Sequence, residues 1–230
     1  MSLSIIIPTL NEAQGIGYFL KKLQPLRHQQ CELIVADGGS IDATKKIATP
    51  LVDCFIDTRK GRAKQMNAGA NLANNEVLLF LHADTYLPDD ALNQIANGLS
   101  AGFVWGRFNI RLTGTHPMLK VVAFMMNWRS RISGIATGDQ AIFVAKQAFD
   151  KVGHYPEIAL MEDISLCQKL KKIGKPFCIS TKVTSSGRRW QQFGIYKTIL
   201  LMWWLRGGYR LGRSPEQLSY LYTRGQFWKH

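Results

Sequence analysis

At 230 residues, with 46% hydrophobic and 20% charged side chains, the chain can bury a full core and is excluded from the disordered class. Its four cysteines, Cys31, Cys54, Cys167 and Cys178, include no C-x-x-C pair, which excludes a disulfide framework and a zinc ribbon and reads as reduced residues of an intracellular protein. A net charge of +13 keeps two acidic partners in view, nucleic acid and an anionic membrane surface.

The first residues, "MSLSIIIPTLNE", have no basic region and only a short apolar run, so the expectation is no secretory signal and a cytoplasmic location. "LSIIIP" (3–8) predicts a buried strand, "NEAQGIGYFLKKL" (11–23) a helix with Asn11 near its N-cap, and "ELIVAD" (32–37) a second strand. A helix over 40–48, capped by Ser40 or Asp42, a strand over 52–57, a helix over 61–73 and a strand over 76–84 come next. Pro88, at a first helical position, starts a helix toward Leu99. Further on, 103–112 predicts a longer strand and 118–132 a Met-rich helix that belongs to the core rather than to a cofactor box. A strand over 139–144 and a helix over 161–174 complete the series, the helix carrying Glu162 and Asp163 in its first turn and stopping at Gly174. Short apolar strands alternating with helices imply an α/β fold, with a mostly parallel Rossmann-like sheet covered by helices on both faces.

No repeat or linker interrupts residues 1–185, and 186–230 reads as an appended basic, aromatic helical segment. From Ser185 onward, Arg188, Arg189, Lys197, Arg206, Arg210, Arg213, Arg224 and Lys229 face a single acid, Glu216, and four of the six tryptophans lie there too. Such a mixture suits stacking on bases, an anionic membrane surface, or a helix packed on the domain or in a homodimer contact. "ILLMWWL" (199–205) is too short to cross a bilayer, which needs about 20 apolar residues, so the segment can lie on a membrane only.

In an open parallel sheet, ligands bind outside the carboxyl ends of the strands. Those ends carry Pro8, Thr9, Asn11 and Glu12, then Asp37 with Gly38, Gly39 and Ser40, then His82 with Asp84. Gly61, Arg62 and Lys64 put positive charge at a helix start, where phosphate is favoured. A carboxylate such as Asp84 beside a phosphate repels it unless a divalent cation lies between them, so the clusters ask for a nucleotide diphosphate and a metal.

The ordered series "SIIIPTLNE", "IVADGGSIDAT", "KGRAKQMNAGA", "LLFLHADT" and "ALMEDISLCQKLKKIG" resembles the family 2 glycosyltransferases, with the glycosyltransferase A fold, over roughly residues 3 to 190. "HADT" is similar to a small bacterial branch of that family. The resemblance implies an inverting transfer from a nucleotide-diphosphate sugar, UDP- or GDP-linked, to an acceptor hydroxyl, assisted by Mn2+ or Mg2+. It implies that Pro8, Thr9 and Glu12 line the nucleoside pocket, with Asp37 accepting from N3–H of uracil or N1–H of guanine. Arg62 and Lys64 would then lie near the diphosphate. Where the family has D-x-D, this chain reads His82-Ala83-Asp84, which leaves Asp84 as the metal ligand and His82 as a donor contact or a second ligand. Glu162-Asp163 resembles the E-D motif whose Asp is the general base, the helix dipole being the structural alternative. Asp139 falls on the acceptor side, as do Arg189 and Trp190 of "RRW", which lacks the leading Gln of processive members and so favours a single transfer. The acceptor is unknown, with a lipid-linked one suggested by the tail. A sugar nucleotidyltransferase and a non-catalytic nucleotide- or nucleic-acid-binding protein are the alternatives. The first lacks its Gly-rich basic loop in "PTLNE", and the second leaves the acidic strand ends unexplained.

Overall fold

The structure, a computed structural model, describes residues 2–227, so Trp228 and Lys229 of the tail lie outside the described residues. Its centre is β1 (Leu3–Thr9), flanked by β2 (Cys31–Asp37), with β3 (Cys54–Asp57) beyond, and on the other side by β4 (Val77–Phe80). These four run parallel, and nearly every side chain of β1, β2 and β4 is buried, as a strand covered on both faces requires. The two-residue β5 (Thr85–Tyr86), then β6 (Trp105–Leu112), β7 (Ile142–Ala145) and β8 (Phe177–Ser185) complete a sheet ordered β3-β2-β1-β4-β7-β6-β8-β5. β7 is antiparallel to both β4 and β6, β8 is parallel to β6, and β5 is antiparallel to β8. The α/β class and the mostly parallel Rossmann-like sheet are therefore as expected.

Period-two alternation sends neighbouring side chains to opposite faces. Ile5 and Ile7 join one core cluster with Phe19, Leu20 and Leu23 of α1 (Ile16–Arg27) and Ile95 of α4 (Ala91–Ser100). Ile6 joins the other with Ala63, Met66 and Ala70 of α3 (Arg62–Leu72) and Leu166, Cys167 and Leu170 of α7 (Glu162–Leu170). Burying each such isoleucine contributes about 1.5–3 kcal/mol. The small α2 (Thr44–Ala48) adds Ala48 to the first cluster, and α6 (Lys146–Lys151) adds Ala148 and Phe149 to the second. All four cysteines are free thiols, Cys31 and Cys167 buried and the other two partly buried.

Several helix starts differ from expectation, because the side chains expected to cap them tie loops together. Asn11 does not cap α1, which begins at Ile16. It sits in the left-handed region (φ 54°), donates its N–H to Ser40 Oγ at 2.7 Å and accepts from the Ile41 N–H at 2.9 Å through Oδ1. Ser40 does not cap α2, which begins at Thr44; Asp42 accepts from the N–H of Thr44, the first residue of α2, and also from Ala13 N–H across the loop. Pro88 precedes α4 by a turn, its carbonyl accepting from Ala91 N–H, and residues 138–140 form a 3-10 turn ahead of β7 rather than strand. The Met-rich helix α5 (Met118–Ser133) is a core helix on one face only: Leu119, Val122 and Ala123 join the first cluster, with Met118 and Met126 packed against it, whereas Val121, Phe124, Met125, Trp128 and Ile132 are exposed. β5 and β8, to which the sequence reading assigns no element, pair Thr85 with Ser185, their hydroxyls 3.0 Å apart.

The tail forms α8 (Arg188–Phe193), α9 (Ile195–Arg210) and α10 (Pro215–Arg224). Leu201, Leu205, Leu218 and Leu221 form a third cluster with Met161, the residue before α7. Among the described residues no helix is long and apolar enough to cross a membrane.

Candidate active site

A cavity of about 650 Å3 opens at the carboxyl ends of β1 and β4 and runs beneath the tail helices. Pro8, Glu12, Arg62, His82, Asp84, Asp139, Glu162, Asp163, Arg189 and Trp190 all line it. The strand-end cluster and the acidic start of α7, far apart in sequence, therefore meet in one space. Thr9, Asp37 and Lys64 do not line it.

Thr9 and Asp37 instead tie together the ends of β1 and β2 behind the cavity. Thr9 donates to Asp37 Oδ1 at 3.0 Å, and Ser40 Oγ donates to the same oxygen at 2.5 Å. Asp37 Oδ2 accepts from the N–H groups of Gly39 and Ser40 at 3.0 and 2.6 Å. Asp37 is only 2% exposed, and four donors from its own surroundings share its oxygens; it shapes the Gly-rich turn, where Gly39 takes φ +89°. Buried Gln65 of α3 donates to the carbonyls of Thr9 (2.7 Å) and Ala36 (2.8 Å), fixing the ends of β1 and β2 against the helix whose first residue is Arg62. Lys64 lays its aliphatic stem along Gly61.

At the acidic centre, Arg188 of α8 reaches across two loops: its Nη2 lies 3.6 Å from Asp84 Oδ2 and 3.9 Å from Glu12 Oε2. Burial raises the proton affinity of both carboxyls, and the Arg188 guanidinium opposes it. Sequence reasoning singles out the other two residues of "RRW" and misses Arg188. His82 packs so closely on Gly138 that a Cβ there would sit 2.5 Å from its Nε2. Burial, with the Arg62 charge nearby, pushes its imidazole down to about 3, so it is neutral and able to donate or ligate.

Asp163 Oδ2 accepts from Gly138 N–H at 2.9 Å and Oδ1 from Ile164 N–H at 2.7 Å, which leaves each oxygen a second lone pair. Burial raises its proton affinity, with those N–H groups and Arg206 pulling against it. Burial, then the neighbouring Asp163, pushes Glu162 up to about 7, with Arg62 Nη1 4.0 Å away opposing. Such a like-charged buried pair keeps one proton, and charge divides unequally between the two. Met161, just before them, takes φ 73°, a conformation costing a bulky residue of order 1 kcal/mol, held by its packing against α9 and α10.

Among the described residues no three His, Cys, Asp or Glu side chains converge on a single metal position. Asp84 beside neutral His82 is nevertheless a donor set that fits Mg2+ or Mn2+, which bind through one or two carboxylates completed by substrate phosphates. Arg189 is held differently from its neighbour: it stacks on Tyr222, 3.6 Å from the ring centroid, and donates to the Tyr222 carbonyl. Two further guanidiniums that sequence reasoning misses, Arg129 of α5 and Arg206 of α9, also line the cavity.

The model of the family described as Glycosyl transferase family 2 matches residues 4–154. Succinoglycan biosynthesis protein ExoA of Rhizobium meliloti (strain 1021) is 27% identical over 237 aligned positions, covering 94% of this chain and 70% of the relative. Among solved structures, S. aureus TarS 1-349 in complex with UDP superposes with a TM-score of 0.66 at 19% identity, over 81% of this chain and 60% of that one. Mannosyltransferase PcManGT from Pyrobaculum calidifontis, in complex with GDP-Man and Mn2+, gives 0.68 at 17% identity over 97% of this chain and 69% of that one. At these identities the structural likeness shows the fold. The chain spans 60% of the TarS fragment's length.

Proposed function

Because the chain belongs to glycosyl transferase family 2, we propose that this nucleotide-sugar-dependent enzyme performs a single, inverting transfer of a sugar from UDP or GDP to an acceptor hydroxyl. The observation that carries this is the meeting of Asp163 with Arg62 and Asp84 in one cavity. In this reading Pro8 and Glu12 border the nucleoside, while Thr9 and Asp37 fix the turn beside it. A base N–H would have to replace one of the four donors that Asp37 already accepts. Arg62 faces the diphosphate, and Asp84, with His82 beside it, would hold Mn2+ or Mg2+ against it. That cation supplies neutralisation of the charge that develops on the leaving group.

The acceptor oxygen attacks the anomeric carbon from the side opposite the diphosphate. The bond from that carbon to the phosphate oxygen breaks, its electron pair leaves with the diphosphate, and the hydroxyl proton passes to Asp163. The Gly138 and Ile164 N–H groups favour the charged form of Asp163 and fix its orientation, which suits it to take that proton. Asp139, Arg189 and Trp190 stand on the acceptor side. The exposed aromatics and the exposed cations of the tail would bring the enzyme to an anionic, cytoplasmic membrane face and a lipid-linked acceptor.

Paired titrations with UDP and GDP test the reading. Asp84→Ala should abolish the Mn2+-dependent part of binding. Asp163→Asn should keep donor affinity and lose about two to four orders of magnitude in transfer. Undiminished Mn2+-dependent binding in the first, or near-normal transfer by the second, overturns the assignment of that residue.

A further inference from the structure

A second concavity, of about 500 Å3, lies between α5 and the strands β6 and β8. Its lining carries four cations, Arg111, Lys120, Arg131 and Lys182, and no carboxylate. Among the described residues none of the four forms an ion pair. Arg131 is braced by the Cys178 carbonyl (3.3 Å) and Ser180 Oγ (3.4 Å), and Arg111 by Thr184 Oγ1 (2.9 Å). Both guanidiniums are thereby held against β8 with most of their N–H groups free. The neutral polar groups are already engaged. Asn127 exchanges two hydrogen bonds with the Ile110 backbone, at 2.8 and 2.9 Å, and Asn109 donates to the Ser180 carbonyl at 3.2 Å. What the groove still offers a ligand is positive charge and two rings, Phe124 and Trp128, 65% and 54% exposed.

The groove and the candidate active site use opposite faces of one helix. Lys120, Phe124 and Arg131 turn to the groove, Met125, Met126 and Arg129 to the cavity, and Trp128 borders both. A helix is only about 10–12 Å across, so a chain of a few linked rings leaving Asp163 over Trp128 reaches the groove.

We propose that this groove binds an acidic oligosaccharide, the outer part of an acceptor whose hydroxyl end lies at Asp163, its carboxylates meeting Arg111, Lys120, Arg131 and Lys182. This deepens the glycosyl-transfer reading and rests on it for the role of the ligand. Carboxylates match arginine forks and lysine charges, and pyranose rings present apolar C–H faces to the indole and phenyl rings. A neutral glycan would find no carboxylate and only engaged amides to bind its hydroxyls. A nucleic-acid strand needs a charged track several nucleotides long, more than a groove of this size supplies.

Calorimetry at low salt, comparing tetragalacturonate with neutral cellotetraose and with a thymidine octanucleotide, tests the assignment. Tetragalacturonate is expected to bind at least about tenfold more tightly than cellotetraose, and to weaken as salt rises. Lys120→Gln combined with Lys182→Gln, two exposed side chains, should remove most of that preference. Phe124→Ala combined with Trp128→Ala should weaken binding about tenfold and keep the preference for the acidic chain. UDP or GDP with Mn2+, titrated into every variant, reports folding and the donor site separately, and its presence should leave tetragalacturonate binding in place. Equal affinity for cellotetraose, no loss in the lysine double variant, tighter binding of the octanucleotide, or displacement of tetragalacturonate by UDP or GDP overturns the groove assignment. Failure of nucleotide binding with tetragalacturonate binding intact would instead strike the glycosyl-transfer reading and leave the groove standing.

Discussion

Glu162 and Asp163 share a buried corner, and only one of them can hold its charge there cheaply. For Glu162 the folded carboxyl keeps its proton to about 7, whereas the unfolded one loses it near 4.5. Between those values the folded state binds more protons, so stability falls as pH rises through the window, by about 3 kcal/mol at most. Glutamine has no proton to lose. Glu162→Gln should therefore match the wild type in urea unfolding at about pH 5 and exceed it at about pH 8; a gain that does not grow with pH would refute the assignment. At this scale the sequence is informative near most strand ends and helix starts: Pro8, Glu12, His82, Asp84 and Asp163 reach the cavity, whereas Thr9 and Asp37, the last residues of β1 and β2, do not line it. It is silent on Arg129, Arg188 and Arg206, because their significance arises only when distant helices fold over the strand ends. No local pattern separates such an arginine from one facing solvent.

α3 delivers Arg62 to the cavity and Gln65 to the ends of β1 and β2, and it does so by lying almost on top of β1. The contact is at Gly69, where an added Cβ would fall 2.5 Å from Ile6 Cγ2. In an open helix, Gly to Ala gains up to about 1 kcal/mol. Here the clash of about 1–3 kcal/mol outweighs that gain. Gly69→Ala is expected to lower stability by about 1–2 kcal/mol and to weaken UDP or GDP binding as α3 lifts. A more stable variant in urea unfolding would show that the helix has room. The parallel strands and their helices are legible because apolar runs and periodicity reflect burial. β8 is not, because "FCISTKVTS" carries Lys182 and several hydroxyls and is only partly buried. Helix starts are misplaced where Asn11, Ser40 and Asp42 bond across loops, a use that competes with capping.

Across the whole molecule, the cations of the tail divide: Arg189 and Arg206 are partly buried, whereas Arg188, Arg213 and Arg224 are exposed yet engaged with other side chains. Arg188 faces Glu12 and Asp84, Arg189 stacks on Tyr222, Arg206 lines the cavity, and Arg213 and Arg224 stand over Trp204 and Tyr220. Lys197 and Arg210 stay exposed beside Tyr196, Leu200 and Trp203. Each cation near an anionic surface is worth about 1 kcal/mol and acts within a Debye length of about 10 Å at 0.1 M salt. Flotation should carry the protein with anionic vesicles at low salt, release it as salt rises, and leave it behind with neutral vesicles; equal recovery with both would remove charge from the account. The family match ends at residue 154, before Asp163 and the tail. The proposed donor residues and Asp139 thus fall within the matched part of the chain, and Asp163, Arg189 and Trp190 beyond it. That order matters during synthesis. The turn bearing His82 and Asp84 leads into β5, whose strand partner, Ser185, lies 100 residues later. A ribosome therefore releases the parallel strands β1 to β4 long before the residue that pairs with β5 exists. The nascent chain leaves β5 without that partner for the several seconds that 100 residues take at about 5–20 residues per second.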